Sequence, residues 1–121
     1  MTQVQKPAYD LEQRTITFAE NIIILCKSCP KNAITLPIID QLIRSGTSVG
    51  ANYAEANGAS SRKDFKNKIS ICKKEAKETQ YWLRLLAKSS ENPKTIETCR
   101  KLWQEAKELS PIFSKIVINT K

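Results

Sequence analysis

Gly46, Gly50 and Ala54 stand four residues apart within Gln41-Leu-Ile-Arg-Ser-Gly-Thr-Ser-Val-Gly-Ala-Asn-Tyr-Ala-Glu55. Read at helical period, Leu42, Gly46, Val49, Gly50 and Tyr53 share one apolar face, and Arg44, Ser48, Ala51, Asn52 and Glu55 share the other. Each glycine costs a helix about 1 kcal/mol against alanine. Close approach of a neighbouring helix is what offsets that cost. The stretch therefore predicts a helix with two working faces, one for its own bundle and one for a further contact.

The rest of the chain offers three more helices. Apolar residues in the first recur as Leu11, Phe18, Ile22 and Leu25, widened by Ile16 and Ile23. They predict a helix from about Asp10, its cap, to Cys29, stopped by Pro30. Residues 1–9 read as a loose arm. Thr35 is the expected N-cap of the second helix, with Pro37 in its first turn and Gly58 as its C-terminal stop. Ser60 or Ser61 is the expected N-cap of a third helix, with Asp64 completing a capping-box pattern if Ser61 is the cap, and its core stripe is Phe65, Ile69, Cys72, Ala76, Thr79, Leu83 and Leu86. Asn92 and Pro93 open a fourth, whose seam is Ile96, Cys99, Leu102, Ala106, Leu109, Phe113 and Ile116. Pro111 falls inside that seam and is expected to kink or end the helix. Three short connections join the four segments, so the expected fold is all-α, an antiparallel up-down-up-down four-helix bundle forming one domain over residues 1–121.

No segment has the secretory-signal pattern at the N-terminus, and the apolar run Ile22 to Cys26 is far short of the ~20 residues a membrane span needs. A cytoplasmic protein without membrane contact is expected. The four cysteines include Cys26-Lys-Ser-Cys29. This CxxC lies at the end of a helical pattern, where the helix dipole works against a thiolate. There is no histidine to complete a zinc site, so buried free thiols are expected, with no metal and no cofactor. Without histidine, a glycine-rich phosphate loop or paired carboxylates at motif spacing, general acid-base chemistry has few candidates, and no enzyme is expected. Glu75 and Glu78 are expected to pair with Lys or Arg.

The 121 residues carry a net charge of +8, from 20 basic and 12 acidic side chains. Residues 60–90 hold nine of the basic residues and three acidic ones. On a helix, Lys63, Lys66, Lys73, Lys74, Lys77, Arg84 and Lys88 share one side over about 37 Å. That stripe suits phosphate contacts. Tyr81 is the only aromatic expected near it, so binding to backbone and shape, with little base preference, is the expectation. Ile71, Trp82 and Leu85 form an apolar flank outside the core stripe, with Trp103 similar on the fourth helix. Together with Arg44, Ser48, Asn52 and Glu55, they are the expected interface of a homo-oligomer. Trp82 is the expected anchor between subunits, and Arg44 and Glu55, about 16 Å apart along the axis, must find partners outside their own helix. The alternative is an oligomeric adaptor that binds another protein, its basic charge incidental.

Three runs carry a resemblance: Leu42 to Glu55 as written above, Phe65-Lys-Asn-Lys-Ile-Ser, and Lys74-Glu-Ala-Lys-Glu-Thr-Gln-Tyr-Trp-Leu83. Over about residues 8–120 the chain resembles the four-helix-bundle proteins encoded in intervening sequences of bacterial 23S ribosomal RNA genes, sometimes labelled S23 ribosomal proteins. The resemblance implies a cyclic homopentamer. It also extends to the accessory protein of diversity-generating retroelements, a basic pentameric barrel that binds nucleic acid and a reverse transcriptase. Arg44, Ser48, Asn52 and Glu55 match the signature positions, with a structural or inter-subunit role implied. No enzymatic activity is implied.

Overall fold

The computed structural model describes the backbone from Pro7 to Lys121 and the side chains from Leu11 onward. Four helices follow in order: α1 (Pro7–Ser28), α2 (Thr35–Asn57), α3 (Arg62–Lys88) and α4 (Pro93–Asn119). Cross-helix pairs fix their directions. Gly46 and Gly50 of α2 face Ile22 and Thr15 of α1, so these two run antiparallel. Arg44 reaches Glu75 while Glu55 reaches Lys68, which sets α2 against α3 the same way. Gln80 contacts Trp103 and Arg62 contacts Lys121 across α3 and α4. Arg14 closes the bundle onto α4 through two bonds to Glu105, at 3.0 and 2.9 Å. α1 and α4 meet much more sparsely than the sequential neighbours do.

The glycine spacing does what its cost requires. A Cβ on Gly46 would stand 2.9 Å from Ile22 Cγ1, and one on Gly50 would stand 3.2 Å from Thr15 Cβ. The third small residue, Ala54, is exposed, so the close approach ends at Gly50. The core stripes of α3 and α4 are buried as their periodicity predicts, apart from half-buried Phe65, Ile96 and Ile116. Tyr53 and Phe113 meet across the core with ring centroids 6.4 Å apart.

The ends of the helices agree with expectation at α3 and α4 and depart from it elsewhere. Ser61 Oγ accepts from the Asp64 N–H at 3.0 Å, and Asn92 Oδ1 from the Lys94 N–H at 2.9 Å. Asp10 lies inside α1 and is not its cap, since the helix starts at Pro7. Of the expected arm, residues 7–9 are helical and 1–6 lie outside the described residues. Thr35 is the first residue of α2 and makes no N-cap bond. The capping is done by Asn32, whose Oδ1 accepts from the Ile34 and Thr35 N–H groups. Thr35 Oγ1 instead closes the loop, accepting from the Asn32 N–H and donating to the Pro30 carbonyl at 2.6 Å. Gly58 does cap α2, at φ −104°, without the left-handed backbone a glycine stop usually supplies.

Pro111 does not end α4, which continues to Asn119. Both Pro111 and Lys107, whose carbonyl loses its helical donor, lie on the exposed side. Water can satisfy that carbonyl, so the helix tolerates the proline there.

Candidate nucleic-acid interface

α3 is the helix on which the candidate residues converge, and its two flanks differ. On the α2 side, Arg44 Nη1 lies 3.1 Å from Glu75 Oε1, and Nη2 bonds to Glu78 Oε2. Glu78 Oε2 also accepts from the Trp82 indole N–H at 2.9 Å. The indole bond first, and the guanidinium second, hold the Glu78 carboxyl below its ordinary range. The bond to Glu78, followed by that to Glu75, raises the Arg44 pKa further. Glu75 is only 7% exposed, and a carboxylate so placed needs a cation.

The remaining signature residues lie along the same seam. Lys68 Nζ stands 2.8 Å from Glu55 Oε1. Asn52 Nδ2 donates to the Ser48 carbonyl and Oγ, both at 2.9 Å. Arg44 and Glu55 thus find partners outside their own helix, on α3 of the same chain. Behind them, Thr79 Oγ1 donates to the Glu75 carbonyl at 2.7 Å and pairs with the Ser45 hydroxyl at 3.0 Å. Of the further-contact face of α2, Arg44 and Glu55 therefore reach α3, while Ser48 and Asn52 bond to each other and Ala51 is exposed. Trp82 is half-buried and packed against the core, not left wet, with Tyr81 edge-on to it at 4.9 Å. Ile71 and Leu85 are also half-buried.

The opposite flank carries the basic stripe. Lys63, Lys74, Lys77, Arg84 and Lys88 are exposed, and Lys66 and Lys73 half-buried. Among the described residues, none of the seven reaches ion-pairing distance of a carboxylate. Lys74 alone acts on Glu78 at longer range. The stripe turns toward α4, whose Arg100, Trp103 and Lys107 stand across the groove. Lys107 Nζ lies 5.3 Å from the Trp103 ring centroid. Trp103, which the sequence pattern places with the apolar interface patch, stands instead beside the basic stripe. Tyr81 is not the only aromatic near the stripe, because the α3–α4 register brings an indole from the neighbouring helix.

The thiols are all free and buried. Burial pushes Cys72 and Cys99 up to about 12 and Cys26 to about 11. Lys31 Nζ donates to the Cys26 and Cys29 carbonyls at 2.7 and 2.8 Å, capping the C-terminal end of α1. The CxxC is thus part of a helix terminus with thiols held protonated. Among the described residues, no three His, Cys, Asp or Glu side chains group as metal ligands, and no helix is long and apolar enough to cross a membrane.

A family profile described as 23S rRNA-intervening sequence protein matches residues 8–115. The fold is similar to a crystal structure from Bacteroides thetaiotaomicron, described as a protein with unknown function from the S23 ribosomal protein family. The two are 32% identical with a TM-score of 0.83, over 94% of this chain and all of that one. No curated protein matches the sequence.

Proposed function

The chain belongs to the 23S rRNA-intervening sequence protein family, and from that premise we propose a non-enzymatic protein that binds the backbone of structured RNA or DNA through α3. The observation that carries this reading is the run of seven basic side chains that, among the described residues, have no carboxylate at ion-pairing distance, on a helix whose other flank pairs Glu75, Glu78 and Lys68. Lysine ammonium groups contact phosphates without reading bases, so the stripe discriminates little among sequences. The test is a titration of a fluorescent stem-loop RNA and a DNA duplex at several salt concentrations. Steep linear loss of log K with log salt supports the reading, and salt-independent binding, or none, refutes it.

The protein acts as a homo-oligomer, in this reading a pentameric ring. Its contact surface comprises Ile71, Trp82 and Leu85 beside the Arg44, Ser48, Asn52 and Glu55 seam. Copies of the stripe then repeat around the assembly, and one nucleic acid spanning several gains about 10²-fold or more in apparent affinity. A reverse transcriptase is the protein partner that the retroelement resemblance suggests. Trp82→Glu should give a folded helical species of lower mass by light scattering. An unchanged mass places the interface elsewhere.

The adaptor reading has its own support in exposed Ile16, Ile23 and Ile24 on α1 and Ile34 and Leu36 near the α1–α2 connection. Large apolar side chains gathered at a surface favour protein contacts. Crosslinking in cells, with identification of both bound RNA and bound protein, separates the two readings.

A further inference from the structure

Beside the stripe, the α3–α4 groove widens into a cavity of about 410 Å³ lined by Leu83, Arg84, Ala87, Cys99, Arg100, Trp103 and Gln104. Its floor is apolar: Leu83 and Cys99 are buried, and Ala87 and Trp103 half-buried. Its rim carries two exposed guanidinium groups, one from each helix, and neither forms an ion pair among the described residues. An apolar floor with an indole, between two cations without ion pairs among the described residues, complements a ligand with a flat aromatic body and anionic ends. Nucleotides in a strand have that form: a base between two phosphates.

We propose that this groove holds one unpaired base of a bound nucleic acid against the Trp103 indole, with Arg84 and Arg100 on the phosphates to either side. This rests on the nucleic-acid reading above and adds a base-binding point to a surface otherwise blind to bases. Lys107 occupies a place over the same ring. Its flexible stem lets the ammonium leave for a phosphate as the base enters. The Gln104 amide nitrogen donates to Glu108 Oε2 at 3.1 Å, which leaves its oxygen and second N–H for the base edge. Unpaired sites such as bulges and loops are therefore preferred over continuous duplex.

The test uses two stem-loop RNAs, one fully paired in the stem and one with a single extrahelical 2-aminopurine. Anisotropy gives the affinity ratio, and 2-aminopurine fluorescence reports stacking. Wild type should bind the bulged RNA at least about five-fold more tightly and quench the probe, since base–aromatic stacking is worth at least that much. Trp103→Leu should bring the ratio to about one and leave paired-stem affinity and its salt slope unchanged, while Trp103→Phe should retain most of the preference. Should Trp103→Leu fail to fold, the exposed pair Arg84→Gln/Arg100→Gln carries the test, and its ratio should also fall toward one. A wild-type ratio of one, with the paired stem still bound, overturns the base pocket and leaves backbone binding intact. A preference that survives Trp103→Leu overturns the pocket as well. If neither RNA binds, the pocket and the nucleic-acid reading fall together.

Discussion

α3 faces α2 and α4 with opposite uses of charge. Toward α2, the carboxylates of Glu75 and Glu78 meet Arg44, and Lys68 meets Glu55, so charge is spent inside the bundle. Toward α4, positive charge accumulates on both helices and, among the described residues, meets no carboxylate at ion-pairing distance along the stripe. Burial explains the difference. A carboxylate as covered as Glu75 is costly without a cation, whereas exposed lysines are solvated and need no partner to fold. Charge on the first flank holds the fold, and charge on the second is available to an outside anion.

Mutation should separate the flanks by stability. Arg44→Ala strands the Glu75 carboxylate and should lower unfolding free energy by about 2 kcal/mol in urea titration. That is less than a fully buried pair would lose, because the Arg44 side chain is 46% exposed. Lys77→Glu, on the other flank, should change stability by no more than about 0.5 kcal/mol. Equal losses would erase the distinction. Trp82→Phe removes the indole bond to Glu78 and should cost about 1 kcal/mol.

Acid should act through the same seam. The Glu78 carboxyl is held below its ordinary value of 4.5, so its contribution is complete above that pH and is lost as pH falls through the lower native value. Trp82→Phe should make the acid limb of the stability profile shallower, and an unaltered limb would deny the indole its part. The thiols act in the opposite direction. Raised from 9.0 to about 11 for Cys26 and about 12 for Cys72 and Cys99, they stabilise fully below pH 9, and this contribution is lost as pH rises through the native values. Alkaline titration of a Cys72→Ala variant should show weaker pH dependence above 9 than wild type. The smallest effect is expected at the Glu55–Lys68 pair, whose carboxylate is exposed and whose lysine is half-buried, and Lys68→Ala should leave Tm nearly unchanged at moderate salt.

The bundle was legible because buried positions repeat every three or four residues, and because Ser61 and Asn92 cap from within their own segments. Glu75 was not legible as a buried residue. Its partner Arg44 is 31 positions away, and only the α2–α3 register brings them together. Trp103 escaped for the same reason, since its place beside the basic stripe depends on how α4 is aligned with α3. Asn32 caps α2 through a loop turn that helical periodicity does not report. Pro111 signalled a break, but its exposed position on α4 let the helix continue. Local pattern gave the elements, and pairings between elements decided which charges remain free.

The most direct test reverses charge on the free flank alone. Lys73, Lys77 and Arg84 are replaced by Glu, and anisotropy titrations with stem-loop RNA are run at several salt concentrations alongside wild type and Arg44→Ala. The triple variant should keep its helicity and its oligomer mass, bind far more weakly, and show a log K against log salt slope flatter by about 2–3, as the loss of three phosphate contacts requires. Arg44→Ala, while still folded and still at the wild-type oligomer mass, should match wild type in slope and affinity. Equal affinities and equal slopes for wild type and the triple variant would contradict the account and place any anion-binding surface away from α3.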